Sequence, residues 1–249
     1  MMPTGFLDRS VMIGGSSYPY VVYVPRGWSR DRAWPVVLLL HGAGERGSDG
    51  QRPVQVGLGS AIRSAPERFP ALVVFPQAPT DGRWIGAPAD AAMAALNAVV
   101  RELGGDRERV YLTGLSLGGF GTWHLALAHP EVFAALVPVC GGIVPHGSAI
   151  SVRQSPLTIG ESDPYAFTAR RLRHLPVWLV HGGDDTVIEA SESRKMHDAL
   201  RAIGAEVRYT EYEGVGHNAW DRAYGEAELW SWVFAQRRTV PLVSSSPSS

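Results

Sequence analysis

The chain has 249 residues, 45% of them hydrophobic and 19% charged. That composition suits a globular protein with a sizeable core, built as one large α/β domain or two small ones. Lys and Arg number 23 against 24 Asp and Glu. No basic surface therefore points to nucleic acid or to an anionic membrane, and the balance suits an uncharged or weakly charged small-molecule partner.

Residues 1–8 carry neither a basic region nor an apolar core of the kind that opens a signal peptide, so a cytoplasmic location is expected. Residues 6–24 predict an antiparallel pair of strands turned at Gly14-Gly15. Compact apolar runs follow at 36–40, 71–75, 110–113, 135–139 and 177–180, with a last strand pattern at 206–212. Runs of this kind predict strands buried on both faces, as in a parallel sheet. Between them, 89–103, 119–129, 191–203 and 225–236 are long enough for helices. The alternation predicts an α/β fold with a mostly parallel central sheet of about eight strands flanked by helices. No composition shift marks a second domain, so 1–240 is expected to form one unit. No apolar stretch approaches the roughly 18 residues of a membrane span. The lone cysteine, Cys140, lies in an apolar run and is expected to be a buried thiol, with no disulfide to form. The one long connection, 141–175, has room for a short helix and a small lid or flap over 143–175, and is too short for a cap domain. The Ser/Pro-rich end, 241–249, is expected to be a disordered tail.

One motif carries chemistry. Residues Gly114-Leu-Ser116-Leu-Gly118 form G-x-S-x-G between a predicted strand and a predicted helix. A strained turn there lifts a serine oxygen above the sheet edge, and the flanking glycines let neighbouring backbone pass. Ser116 is therefore the candidate nucleophile. A hydroxyl needs a base, and of eight histidines His217 lies where one is needed, in a Gly-rich loop between the last strand and the last helix. His124, His129 and His197 fall in helical patterns; His146 and His174 fall in the long connection. The base in turn needs a carboxylate. Strand 177–180 runs into His181-Gly-Gly-Asp184-Asp185, so one of these two aspartates is expected to serve, and spacing leaves the choice open. Donors for an oxyanion are expected from the N–H of Leu117 and from Ala43 or Gly44 in the Gly-rich loop after strand 36–40.

These residues together resemble the α/β-hydrolases. The order Ser, Asp, His along the chain is theirs. The segments Leu40-His-Gly-Ala-Gly-Glu-Arg-Gly47, Pro76-Gln-Ala-Pro79, Gly114-Leu-Ser-Leu-Gly-Gly-Phe-Gly-Thr-Trp123 and Gly216-His-Asn-Ala-Trp-Asp221 resemble a branch without a large cap domain. That branch includes carboxylesterases, feruloyl and acetyl xylan esterases, polyhydroxybutyrate depolymerase-like proteins and predicted peptidases. The resemblance spans roughly residues 20–232 and weakens over 143–175. It implies Asp185 as the acid, four residues after the histidine of H-G-x-x-D, and Ala43 as the first oxyanion donor. It also implies a serine carboxylesterase that hydrolyses small or aromatic esters through an acyl-enzyme. A peptidase, amidase or thioesterase on the same residues stays open, as does a non-catalytic binding protein on this fold.

Such chemistry needs no cofactor, and no His/Cys/Asp/Glu spacing predicts a metal site. Candidate substrate contacts are Gly44, Gln77, Trp84 and Trp220. The tryptophans are expected near the cleft, where they would either wall it or pack, and Gln77 would either touch substrate or brace its loop. Trp123, on the elbow helix, is expected to pack. Glu45 and Arg46 would pair beside the oxyanion loop. The implied partner is a small-molecule ester; the oligomeric state is left open.

Overall fold

A computed structural model describes residues 3–145 and 154–238. Strands β1 (Gly5–Ile13) and β2 (Ser16–Val24) form an antiparallel hairpin. Its two-residue turn places Gly14 and Gly15 at φ of 55° and 83°, the left-handed pair that a twisted hairpin favours and that glycine adopts freely. Strand β2 pairs antiparallel with β4 (Leu72–Pro76). From there β3 (Trp34–Leu40), β5 (Gly105–Leu115), β6 (Ala135–Val139), β7 (Val177–Gly182) and β8 (Val207–Tyr212) are all parallel. The sheet has eight strands in the order β1-β2-β4-β3-β5-β6-β7-β8.

Every residue of β3, β4 and β6 is buried, which is why these strands are continuous apolar runs rather than alternations. Their side chains divide by parity. Trp34, Val36, Leu38 and Leu40 join one core; Val37 and Leu39 join the other. The first core lies under α2 (Ala87–Leu103), α3 (Leu117–Ala128), α4 (Pro164–Leu172) and α5 (Ser191–Ala202). The second lies under α1 (Leu58–Ser64), α6 (Ala219–Gly225) and α7 (Ala227–Ala235).

Three elements differ from expectation. Helix α1 was not predicted: only Leu58 and Ile62 anchor its seven residues, too short a pattern to register. The helix expected over 225–236 is α7, and a further short helix, α6, precedes it, set apart by the extended conformation of Glu226 (φ −79°, ψ 124°). Strand β5 begins at Gly105, well before 110, because Gly105 pairs with Trp34 across the sheet. Among the described residues the connection from β6 to β7 carries a single helix, α4, and no cap domain. Residues 146–153, the middle of the expected flap with His146, lie outside the described residues, as does the expected tail. No described helix is long and apolar enough to cross a membrane.

Candidate active site

Ser116 stands at the step from β5 into α3 with φ 53° and ψ −115°, a conformation that costs a non-glycine residue of order 1–3 kcal/mol. Its N–H donates to the Val139 carbonyl at 2.9 Å, which ties the turn to β6. The flanking glycines are demanded by contact. A Cβ on Gly114 would lie 2.2 Å from the Gly118 oxygen, and one on Gly118 would lie 1.9 Å from the Leu40 oxygen. The spacing G-x-S-x-G is thus a packing requirement of β3, β5 and α3 meeting at one point.

His217, on the loop between β8 and α6, turns its Nε2 to within 2.9 Å of Ser116 Oγ. Its Nδ1 lies 2.7 Å from Asp185 Oδ2 on the loop after β7. The other carboxylate oxygen, Oδ1, accepts the N–H groups of Val187 and Ile188 at 2.8 and 2.9 Å. Burial alone would raise the Asp185 pKa. Hydrogen bonds from His181, His217 and the Ile188 and Val187 N–H groups outweigh it and hold the carboxyl well below the usual carboxylate range. An ionised Asp185 accepts the His217 Nδ1–H, so Nε2 is left free to accept the serine proton. Asp184, the alternative acid, is exposed, and its backbone N–H serves the Val215 carbonyl.

Ala43 opens the 3₁₀ turn Ala43–Glu45, and Leu117 opens α3. The N–H of a first helical residue has no intrahelical acceptor, so both are placed to donate elsewhere. The loop carrying Ala43 abuts the elbow: a Cβ on Gly42 would lie 2.8 Å from the Leu115 side chain and 3.5 Å from Ser116 Cβ. His41 anchors this loop from beneath. Its Nε2 accepts the Ala78 N–H at 3.0 Å, and its Nδ1–H donates to the Gly42 carbonyl at 2.6 Å. Burial pushes the imidazole down to about 4, so it is neutral near neutral pH. Burial likewise raises the Glu45 carboxyl above its ordinary value. Arg46 turns to the Ala43 carbonyl at 2.9 Å rather than pairing with Glu45.

The expected substrate contacts divide. Gln77 is 2% exposed. Its Oε1 accepts the Gly50 N–H at 2.6 Å, and its Nε2 donates to the Glu45 carbonyl at 2.9 Å and Asp49 at 3.1 Å. It braces the loop and has no surface for substrate, which corrects its candidacy. Trp84 is also buried: its indole N–H donates to the His41 carbonyl and its ring meets the His41 ring edge-on at 4.9 Å. It is packing, although with Leu117, Trp123 and Ile143 it lines a cavity of about 20 Å³ behind the elbow. Trp123 is buried as expected. Trp220 is half-buried and stands edge-on to His217 at 5.2 Å, a wall beside the imidazole. Gly44 is exposed beside Ala43. His174 bonds the Pro130 carbonyl, and His124 bonds Ser155. Cys140 is buried, its thiol pushed up to about 12 chiefly by burial.

A residue the sequence reading passed over is His181. It is fully buried, with Nε2 3.2 Å from Asp185 Oδ2. Its motif, H-G-x-x-D, was the available signal, and it had served only to locate the aspartate. Among the described residues Cys140, His181 and Asp185 have potential metal-ligand atoms within 4.8 Å of one another. Both nitrogens of His181 and both oxygens of Asp185 are already engaged in hydrogen bonds, so the cluster is a hydrogen-bonded network and not a vacant ligand set.

The mostly parallel sheet, the elbow between β5 and α3 and the site residues spread over the loops after β3, β5, β7 and β8 define an α/β-hydrolase fold. Within that class the chain belongs to the prolyl oligopeptidase family, whose family model matches residues 79–237. The chain is 31% identical to a thermostable esterase of known crystal structure, with a TM-score of 0.78 over 94% of this chain and 63% of that one. It is 32% identical over 114 residues to a putative carboxymethylenebutenolidase of Salmonella typhimurium, covering 46% of this chain and 38% of that protein. It is 29% identical over 198 residues to an uncharacterized secreted protein of Arthroderma benhamiae, covering 74% of this chain and 21% of that protein. The chain thus spans well under half the length of these two curated relatives.

Proposed function

We propose that the protein is a serine hydrolase acting on small or aromatic carboxylic esters. The observation that carries this reading is the hydrogen-bonded line from Ser116 Oγ to His217 Nε2 at 2.9 Å and from His217 Nδ1 to Asp185 Oδ2 at 2.7 Å. Ser116 attacks the ester carbonyl while His217 takes its proton, and Asp185 stabilises the imidazolium. The N–H groups of Ala43 and Leu117 stabilise the oxyanion; losing one such donor typically costs about 10²–10³ in kcat. His217 then returns the proton to the departing alcohol, leaving an acyl-enzyme on Ser116. A water activated by the same imidazole hydrolyses it, releasing the acid and restoring the serine. Likeness to a thermostable esterase supports an ester carbonyl as the group attacked.

The test is Ser116→Ala assayed on p-nitrophenyl acetate, p-nitrophenyl butyrate and methyl ferulate, with fluorophosphonate labelling alongside. Loss of at least about a thousandfold in kcat/KM and loss of labelling are expected, in line with removal of a nucleophile. Retention of most of the rate would overturn the assignment. Matched p-nitroanilides run in parallel separate the esterase reading from an amidase on the same residues.

A further inference from the structure

Asp185 is approached by two imidazoles. Its Oδ2 receives His217 Nδ1 from the solvent side at 2.7 Å and lies 3.2 Å from His181 Nε2 on the buried side. The tautomer of His181 follows from its other neighbours. Nε2 is 2.9 Å from the Ile188 carbonyl, which can only accept, so Nε2 carries the hydrogen and shares it between that carbonyl and Asp185. Nδ1 lies 2.7 Å from Ser193 Oγ and therefore accepts the Ser193 hydroxyl proton. The carboxylate thus sits at the centre of two Ser–His pairs, Ser116–His217 outward and Ser193–His181 inward. Ser193 and His181 are both buried, which leaves the inner pair no route to a substrate.

We propose that His181 is a positioning residue that shares Asp185 with His217 and thereby sets the proton affinity of the base. The inference rests on the function proposed above for its consequence in catalysis, but its first readout does not. The His181 N–H presents the positive end of a dipole to the same oxygen that stabilises the His217 imidazolium. It draws electron density from Oδ2 and opposes protonation of the neighbouring ring. The other groups facing His181 leave this role to it. From the residue just past β6 comes the Cys140 thiol, held protonated by burial. From β8 comes Glu211, opposite His181 in register and engaged by Arg194 at 2.8 Å and by Tyr209 at 2.5 Å. From α5 comes the neutral Ser193.

The experiment is an NMR titration of the His217 ring in wild type, His181→Leu, His181→Gln and Ser193→Ala, followed by the pH dependence of kcat/KM on p-nitrophenyl acetate. In His181→Leu the titration of His217 moves upward by about one unit, and kcat/KM on the acid side falls about tenfold with the alkaline plateau little changed. His181→Gln, whose amide N–H can replace Nε2–H, returns the titration towards wild type. Ser193→Ala, which frees Nδ1 without emptying the site, moves it upward by a smaller amount. If His181→Leu does not fold, the decision falls to Ser193→Ala, where an unmoved His217 titration overturns the proposal. A fall in activity or Tm with the His217 titration unmoved in all variants overturns it as well and leaves His181 a packing residue. If the wild-type chain hydrolyses no ester, the function proposed above fails while the titration still decides this inference.

Discussion

The loop that presents Ala43 to the elbow is held at its root by one buried imidazole, and that anchoring carries a pH dependence. His41 Nε2 accepts the Ala78 N–H, so protonating it would set two donors against each other in a buried site. Its pKa is pushed down to about 4 chiefly by burial, against 6.5 unperturbed. The unfolded chain then binds more protons than the folded one between about pH 6.5 and pH 4, so this residue's contribution to stability falls as pH drops through that window. A shift of this size corresponds to roughly 3–3.5 kcal/mol once complete, with the ring half protonated in the folded protein at pH 4. His41→Gln, which has no titrating ring, is expected to be less stable at pH 7 but to lose about 2–3 kcal/mol less between pH 7 and pH 4. Urea unfolding of both proteins at the two pH values measures it. Equal losses in the two proteins would place the acid sensitivity elsewhere.

At the level of elements, β3, β5 and α3 converge at Gly118, where an added Cβ would stand 1.9 Å from the Leu40 oxygen. Both neighbours are backbone, so neither can rotate away, and Gly118→Ala must part the helix from the sheet. A loss of about 3 kcal/mol or more is expected, at the upper end of overpacking costs. Gly44→Ala meets nothing within 4 Å and is expected to change stability by less than about 0.5 kcal/mol. Thermal unfolding of the pair distinguishes a clash at the elbow from a general intolerance of the loops. The same convergence explains what the sequence made legible. Strands such as 36–40 and 135–139 stand out because burial on both faces writes them as unbroken apolar runs. Ser116 stands out because its spacing meets a local backbone demand, and His217 and the pair Asp184/Asp185 because they follow the ends of legible strands. What stayed hidden depends on partners far away in sequence. Helix α1 packs at a point where a Cβ on Gly57 would meet Tyr224 and Leu115 at 3.2–3.3 Å, a contact no local period announces. Gln77 is a brace because Gly50 and Glu45 happen to face it, and His181 joins the site only through Asp185, Ile188 and Ser193.

Across the whole molecule the site is a property of the complete sheet. Ser116 and His217 are 101 residues apart in sequence and His217 and Asp185 are 32 apart. They meet only because β5, β6, β7 and β8 run parallel and end on one edge, the edge where open α/β sheets bind ligands. The loops that carry them are tied to that edge by main-chain bonds: Ser116 N–H to Val139, Cys140 N–H to Val180, Gly183 N–H to Tyr212 and Asp184 N–H to Val215, at 2.8–3.0 Å. Each tie joins one strand end to the next, so opening any one loop breaks pairing at its neighbour. Loops held this way belong to the high-stability end of a structure rather than to its locally opening parts. The proposed esterase activity is therefore expected to disappear in urea together with the global transition. The eight tryptophans, among them buried Trp34, Trp84 and Trp230, report that transition by fluorescence from both faces of the sheet. Rates on p-nitrophenyl acetate, read after equilibration at each urea concentration, should trace the fluorescence curve with the same midpoint and slope, the signature of two-state loss. An activity midpoint clearly below the fluorescence midpoint would mean that the loops bearing Asp185 and His217 open ahead of the sheet, and the strand-end ties would then not be what holds the site together.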